Sequence, residues 1–420
     1  MLLSIILLVA SLAGSAAVPN LSAWEHDWAT LLSSQLVDFG YAPYSDAQAA
    51  FLASHYAGVS IEKCSGRGNT EAVVYANARL VKAHNPSTKI IFYWDLDQGA
   101  LDCYAASSTF MANPSWWLRD DAGAIVNSSG TQPIIDYTNA EARAWWLGVP
   151  LGGAGSPEAP WIDGVLADGA GNTLPAAACY HASARINAAR CDALVAAKSA
   201  MVRELQGLLN ATNGGVVLQN GLTYYAYPNS PADFGVSTLG DAVGVMNEHT
   251  AVFEQLLPSG DLNVTLVAEV IETVLLASAL GKVIVLATWP GPLNGFDNNG
   301  PTWPGGKQPH NATDWKPVML QKHTFASAFF MTVANNRTFM QYELWYNVRP
   351  RPSPNMRFSA WLCPVRLSLT PALPRLSSQC RDLSKACCLA MMHRPRASRP
   401  TRKRGTLICS SLLARRSRLQ

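Results

Sequence analysis

Eight short apolar runs recur along residues 35–346, separated by longer helix-like or loop-rich stretches. They read LVDFGY (36–41), GVSIEK (58–63), KIIFYWD (89–95), IDGVLAD (162–168), GVVLQN (215–220), AVGVMNE (242–248), KVIVLATW (282–289) and FMQYELW (339–345). Most are continuous rather than alternating, as parallel strands covered on both faces require. Helices are expected between them: one after Ser45 as N-cap, and one from Asn69–Thr70 that stops before Asn85–Pro86. Further helices are expected over about 183–209, 264–279 up to Gly281, and 316–334. Eight strand–helix units in this length fit an α/β chain folded as a (β/α)₈ barrel. An open doubly wound sheet fits less well, because no G-x-G-x-x-G or G-x-x-x-x-G-K follows any run.

Charge divides the chain. Residues 1–348 hold 16 Lys and Arg against 28 Asp and Glu, while residues 349–420 hold 16 against the single Asp382. The first 17 residues have an apolar run from Leu2 to Ala10 followed by small residues, with Ser15 and Ala17 suiting a cleavage site. That run is short of the roughly 20 apolar residues that span a bilayer. The expected organisation is therefore a signal peptide (1–17), a barrel (18–348) and a basic Arg/Ser/Pro/Cys-rich tail (349–420). The tail shows little helical periodicity where an eighth helix belongs. It reads as disordered, or as a frameshift or unspliced intron in the gene model; its alternative is a basic arm for nucleic acid or acidic polysaccharide, at odds with a secretory leader. If the eighth helix is lost, the first and last strands lose part of their cover and the protein should be poorly soluble.

Six N-x-S/T sequons (Asn20, Asn127, Asn210, Asn263, Asn311, Asn336) agree with a secreted glycoprotein. Cys64, Cys103, Cys179 and Cys191 precede the tail. An even four in an oxidising compartment suggests two disulfides among three possible pairings, with Cys64–Cys103 and Cys179–Cys191 preferred.

In a barrel of this type the site lies where the strands end. The polar residues there are Glu62, Asp95, Asp168, Asn220 and Glu248, with Asp136 ending an extra strand-like piece. Trp94 and Trp289 also sit at strand ends, where flat rings suit sugar C–H faces. These strand-end residues include no Lys or Arg to offset the acids. Like charges brought close cost stability, so such a set is more often kept for chemistry. Two carboxylates flanking a glycosidic bond supply what its hydrolysis needs. Asp95 and Asp97 are also candidate metal ligands, but no clustered ligand set supports this. Asp163 starts the fourth run, at the far end from the mouth, and suits a stabilising role. The pairs Trp116–Trp117 and Trp145–Trp146 are expected to pack one member of each on the barrel. The loop WPGPLNGFDNNGPTWPGGKQPH after the seventh run suits the wall of a cleft.

DGVLADG, DYTN…WW, LQNG and VMNEH, in that order, resemble secreted glycoside hydrolases of (β/α)₈ type. These are distantly similar to the α-galactosidase and α-glucosidase barrels and to endo-α-1,4-polygalactosaminidase. The resemblance implies that Asp168, ending the fourth strand, is a nucleophile, and that Glu248, ending the sixth, is the acid/base. It also implies a retaining reaction on an α-linked sugar, and places Asp136 near the substrate. Asp95, Asn220, Trp94, Trp289, Glu62 and His249 complete the expected substrate contacts. Gly169 and Gly171 would turn the backbone after Asp168 and leave room for a sugar ring; the plainer alternative is that Asp168 caps that loop. The expected partner is an oligo- or polysaccharide, with no cofactor, no metal, no nucleic acid and no membrane after leader removal. The oligomeric state is left open. A second hypothesis keeps the barrel as a secreted carbohydrate-binding protein without catalysis.

Overall fold

Strand β3 (Lys89–Asp95), at seven residues the longest of the barrel strands, pairs on both sides and carries residues to both faces of the sheet. The computed structural model describes residues 21–26, 34–37, 43–63, 65, 68–96, 103–127, 132–152, 159–170, 179, 185–222, 236, 238–247, 264–288, 296–297, 300–301, 323–324 and 326–342. These fall within the unit Met1–Ser368; the unit Leu369–Gln420 lies wholly outside them. The expected leader (1–17) and basic tail (349–420), and most of the glycine-rich loop after the seventh strand, also lie outside the described residues.

The remaining barrel strands are β1 (Ser34–Val37), β2 (Gly58–Ile61), β4 (Gly164–Asp168), β5 (Val216–Asn220), β6 (Gly244–Asn247), β7 (Val283–Thr288) and β8 (Thr338–Tyr342). All eight strands pair parallel in sequence order. The first lies against the last, so the sheet curls onto itself. The fold is an α/β chain of (β/α)₈ barrel type. Strands β3, β4 and β5 end where their expected runs end, at Asp95, Asp168 and Asn220, while β2 stops at Ile61, before the Glu62 and Lys63 that close its run.

Period-two alternation sorts the side chains. Ile91, Tyr93, Leu166, Leu218, Met246 and Val285 share one buried cluster inside the barrel. Their sequence neighbours Ile90, Phe92, Trp94, Val165, Ala167 and Val217 belong to another, packed outward against the helical layer. Gly244 starts β6 with no side chain because a Cβ there would meet Leu218 Cδ2 at 2.6 Å and the Val217 carbonyl at 2.9 Å.

The helices between strands begin where caps are available. Helix α1 (Asp46–His55) has a capping box in which Ser45 and Gln48 each bond the other's backbone amide. Helix α2 (Thr70–His84) ends at Asn85, before Pro86. Asn139 caps α3 (Ala140–Gly148) by accepting from the amides of Glu141 and Ala142. Helix α4 (Ala188–Asn213) starts later than expected because Asn187 is the residue that caps it, held in turn by Asp121. Helix α5 (Val264–Ala279) matches its expected span, and the described part of the last expected helix is helical at 323–324 and over 326–333. No helix among the described residues is long and apolar enough to cross a membrane.

The tryptophan pairs divide as expected. Trp116 and Trp146 are buried, while Trp117 and Trp145 pack partly exposed against the same cluster. Cys179–Cys191 forms a disulfide with an S–S distance of 2.05 Å. Cys103 is also disulfide-bonded; its expected partner, Cys64, lies outside the described residues.

The N-terminal end of the barrel is closed by a short turn, Leu21–Trp24, whose Trp24 packs edge-on against Phe339. Ion pairs surround this end. Asp163 meets Lys82 at 2.5 Å and Lys89 at 3.8 Å, and accepts the Ile90 amide at 2.8 Å. Arg203 meets Asp241 at 2.5 Å, Lys282 donates to the Ala242 carbonyl, and Arg337 joins Glu25. Asp163 thus has the stabilising role expected of it.

Candidate active site

Parallel pairing places the last residues of neighbouring strands side by side. Asp95 of β3 is in register with Asp168 of β4, so two carboxylates share the C-terminal end of the barrel. Counting back by two along β3 gives Tyr93 on the same inward face. Its hydroxyl donates to Asp168 Oδ2. Asn220, ending β5, donates from Nδ2 to Asp168 Oδ1 at 2.7 Å. The Gly169 amide donates to the same Oδ1 at 2.9 Å. Asp168 is half-buried and is held by these three neutral donors, with no Lys or Arg in salt-bridge contact among the described residues.

The turn after Asp168 is fixed by its own chemistry. Gly169 has φ 73°, a left-handed conformation that glycine adopts without strain. Its carbonyl accepts from the buried Lys198 Nζ of α4 at 2.5 Å. The capping role weighed for Asp168 is therefore present, alongside its bonds to Tyr93 and Asn220. Asn220 also accepts the Gly221 amide at 2.8 Å, so its own rotamer is held.

Lys63 was not anticipated, and it corrects the expectation that no cation offsets the strand-end acids. It follows β2 and reaches inward, donating to the Tyr93 hydroxyl at 2.9 Å with its Nζ 4.6 Å from the ring centre. Glu62 Oε1 lies 3.7 Å from the same Nζ and accepts the Lys63 amide at 3.0 Å. Glu62 is fully buried beside Lys63. Tyr104 was also missed. Its hydroxyl donates to the Tyr93 carbonyl at 2.8 Å. Burial pushes its phenol well up, and the charges of Glu62, Glu71, Asp95 and Asp168 push it the same way. Tyr93 was legible as the inward neighbour of Asp95 in KIIFYWD; the reach of Lys63 and Tyr104 has no sequence signal.

One expected substrate contact is placed elsewhere. Trp94 is the outward neighbour of Asp95 and has no exposed surface; it packs against Trp146 and Tyr104 and donates to the Trp146 carbonyl. A sugar cannot stack on it. Asp136 accepts from the amide and hydroxyl of Thr138, in the turn that leads into α3. No bond among those described joins it to Asp95 or Asp168. Glu248, His249, Trp289 and Asp97 lie outside the described residues. No group of three or more His, Cys, Asp or Glu side chains is gathered to hold a metal ion among the described residues.

No family model matches the chain, and no curated protein matches it. Solved structures resemble it weakly. A xylosidase from Aspergillus niger aligns at TM-score 0.45 and 13% identity, over 80% of this chain and 46% of its own. A GH10 endoxylanase from a sugarcane soil metagenome aligns at 0.44 and 8%, over 75% and 86%. A beta-galactosidase from the Antarctic haloarchaeon Halorubrum lacusprofundi aligns at 0.41 and 16%, over 75% and 52%. The chain thus spans about half of the xylosidase it matches. Similarity at this level says nothing about the reaction.

Proposed function

We propose that the chain is a glycoside hydrolase that cleaves an O-glycosidic bond, on an α-linked sugar and with retention. Asp168 is the nucleophile and Glu248 the acid/base. The observation that carries this reading is the setting of Asp168: a half-buried carboxylate at a barrel strand end, oriented by Tyr93, Asn220 and the Gly169 amide, with no Lys or Arg in salt-bridge contact with it among the described residues. Three neutral donors fix a carboxylate's position while leaving its charge available for an oxocarbenium-like carbon. In the first step an Asp168 oxygen bonds to C1 as the C1–O bond breaks, and the leaving oxygen takes the proton of Glu248. Water then reverses the bond to Asp168, giving up its proton to Glu248. Asp95, in register beside Asp168, is the proposed partner of a sugar hydroxyl.

The protein is proposed to be secreted and to meet its glycan outside the cell, in line with the leader-like start and the sequons. The test is turnover of a panel of α-linked glycans and aryl glycosides by the wild type and Asp168→Asn. Loss of roughly 10⁴-fold in kcat with retained glycan binding supports the assignment. Binding without turnover by the wild type on every member would favour a non-catalytic carbohydrate-binding barrel. A carboxyl separation of about 5–5.5 Å between Asp168 and Glu248 fits retention; about 6.5–9.5 Å fits inversion.

A further inference from the structure

The hydrogen bonds on Asp168 are unequally shared between its two oxygens. An ionised carboxylate oxygen accepts along two lone-pair directions. Oδ1 accepts from both Asn220 Nδ2 at 2.7 Å and the Gly169 amide at 2.9 Å. Oδ2 accepts from Tyr93 alone among the described residues. One lone pair on Oδ2 is therefore left for bond formation.

The polarity of the Tyr93 bond is fixed from its other side. A phenol has one proton and an oxygen that also accepts. Lys63 Nζ, which can only donate, occupies the accepting side at 2.9 Å. The single Tyr93 proton is then directed to Asp168. Lys63 is itself held between the Tyr93 ring face and the buried Glu62. The sequence of contacts Glu62–Lys63–Tyr93–Asp168 runs across three adjacent strand ends, β2, β3 and β4. Chains of hydrogen bonds in a buried setting polarise one another.

We propose that Lys63 is a positioning residue that acts through Tyr93 to present Oδ2 of Asp168 as the oxygen that attacks the sugar. This inference rests on the assignment of Asp168 as nucleophile. Tyr93 keeps its proton throughout. As Oδ2 bonds to C1 and becomes an ester oxygen, it accepts more weakly, and the Tyr93 hydroxyl is released toward the sugar. Lys63 keeps the ring in place through both steps.

Tyr93→Phe, Lys63→Met and Lys63→Arg in the full chain test this. On a glycoside that the wild type cleaves, Tyr93→Phe should lower kcat about 10²-fold, the scale for removing one aimed donor, with KM changed less than about threefold. Lys63→Met should lower kcat roughly 10-fold with little change in KM, and Lys63→Arg should regain most of it, as expected for a partner one bond removed. A merely structural role would instead lower the melting temperature and would not separate kcat from KM. Crystal structures of the wild type and of Tyr93→Phe supply a readout independent of activity: the Asp168 carboxyl should turn about its own axis in the variant. If Tyr93→Phe retains wild-type kcat and an unturned carboxyl, the positioning role is overturned while the hydrolase reading stands. If the wild type cleaves no glycoside, the hydrolase reading fails, and an unturned carboxyl in the crystals then overturns the positioning role as well. Should Lys63→Met fail to fold, the near-isosteric Tyr93→Phe and the charge-conserving Lys63→Arg still decide it.

Discussion

Strand β4 is flanked by two aspartates that are held in opposite ways. Asp163, before its first residue, is clasped by Lys82 and Lys89 and bonds a neighbouring strand's amide. Asp168, its last residue, is held by a phenol, a carboxamide and an amide N–H, beside a second carboxylate in register. The same side chain is thus neutralised at the N-terminal end of the barrel and merely oriented at the C-terminal end. A neutralised carboxylate holds strands together; an oriented, charged one is kept for a ligand or a reaction. The contrast extends around the barrel. Asp241 with Arg203, and Glu25 with Arg337, belong to the paired end.

The sharpest way to break the comparison is to replace each aspartate with asparagine. Asp168→Asn should remove roughly 10⁴-fold of kcat, while its melting temperature stays within about 3 °C of wild type because the site is not built for stability. Asp163→Asn should do the reverse: a loss on the order of 3 kcal/mol in urea unfolding, since it strands two half-buried lysines, with kcat nearly unchanged. Equal loss of stability in both variants would erase the distinction between the two ends.

A smaller effect sharpens it. Lys282 lies just before β7 on the paired end, and burial lowers its pKa from 10.5 to about 8, with Asp241 pulling the other way. Between about pH 8 and 10.5 the unfolded chain therefore binds more protons than the folded one, and stability should rise with pH across that window. Below pH 8 both states are protonated and the cost of burying the charge is fully present. Lys282→Met should flatten this rise in thermal melts between pH 7.5 and 10. A rise of the same slope in the variant would assign it to another group.

Much of this was legible in the chain. Continuous apolar runs ended by polar residues indicated parallel strands, and Ser45, Asn85–Pro86 and Gly281 marked helix ends from local chemistry alone. Asp163 and Asp168 were separated correctly because they occur at opposite ends of one run. Trp94 was misplaced because strand-end position was weighed without the alternation that turns successive residues to opposite faces. Tyr93 was available to that same alternation and was missed for the same reason.

Sequence by itself determined the order of strands, the caps and the end of the barrel at which the acids collect, because these depend on periodicity and on residues near one another in the chain. Only the tertiary structure decided which groups touch Asp168. Tyr93, Lys63 and Asn220 come from three different strands or strand ends, and the parallel register between β2, β3, β4 and β5 is what brings them within hydrogen-bond reach. Hydrogen bonds act over about 3 Å, so a contact between residues far apart in sequence is set by how strands pair and not by what any one strand contains.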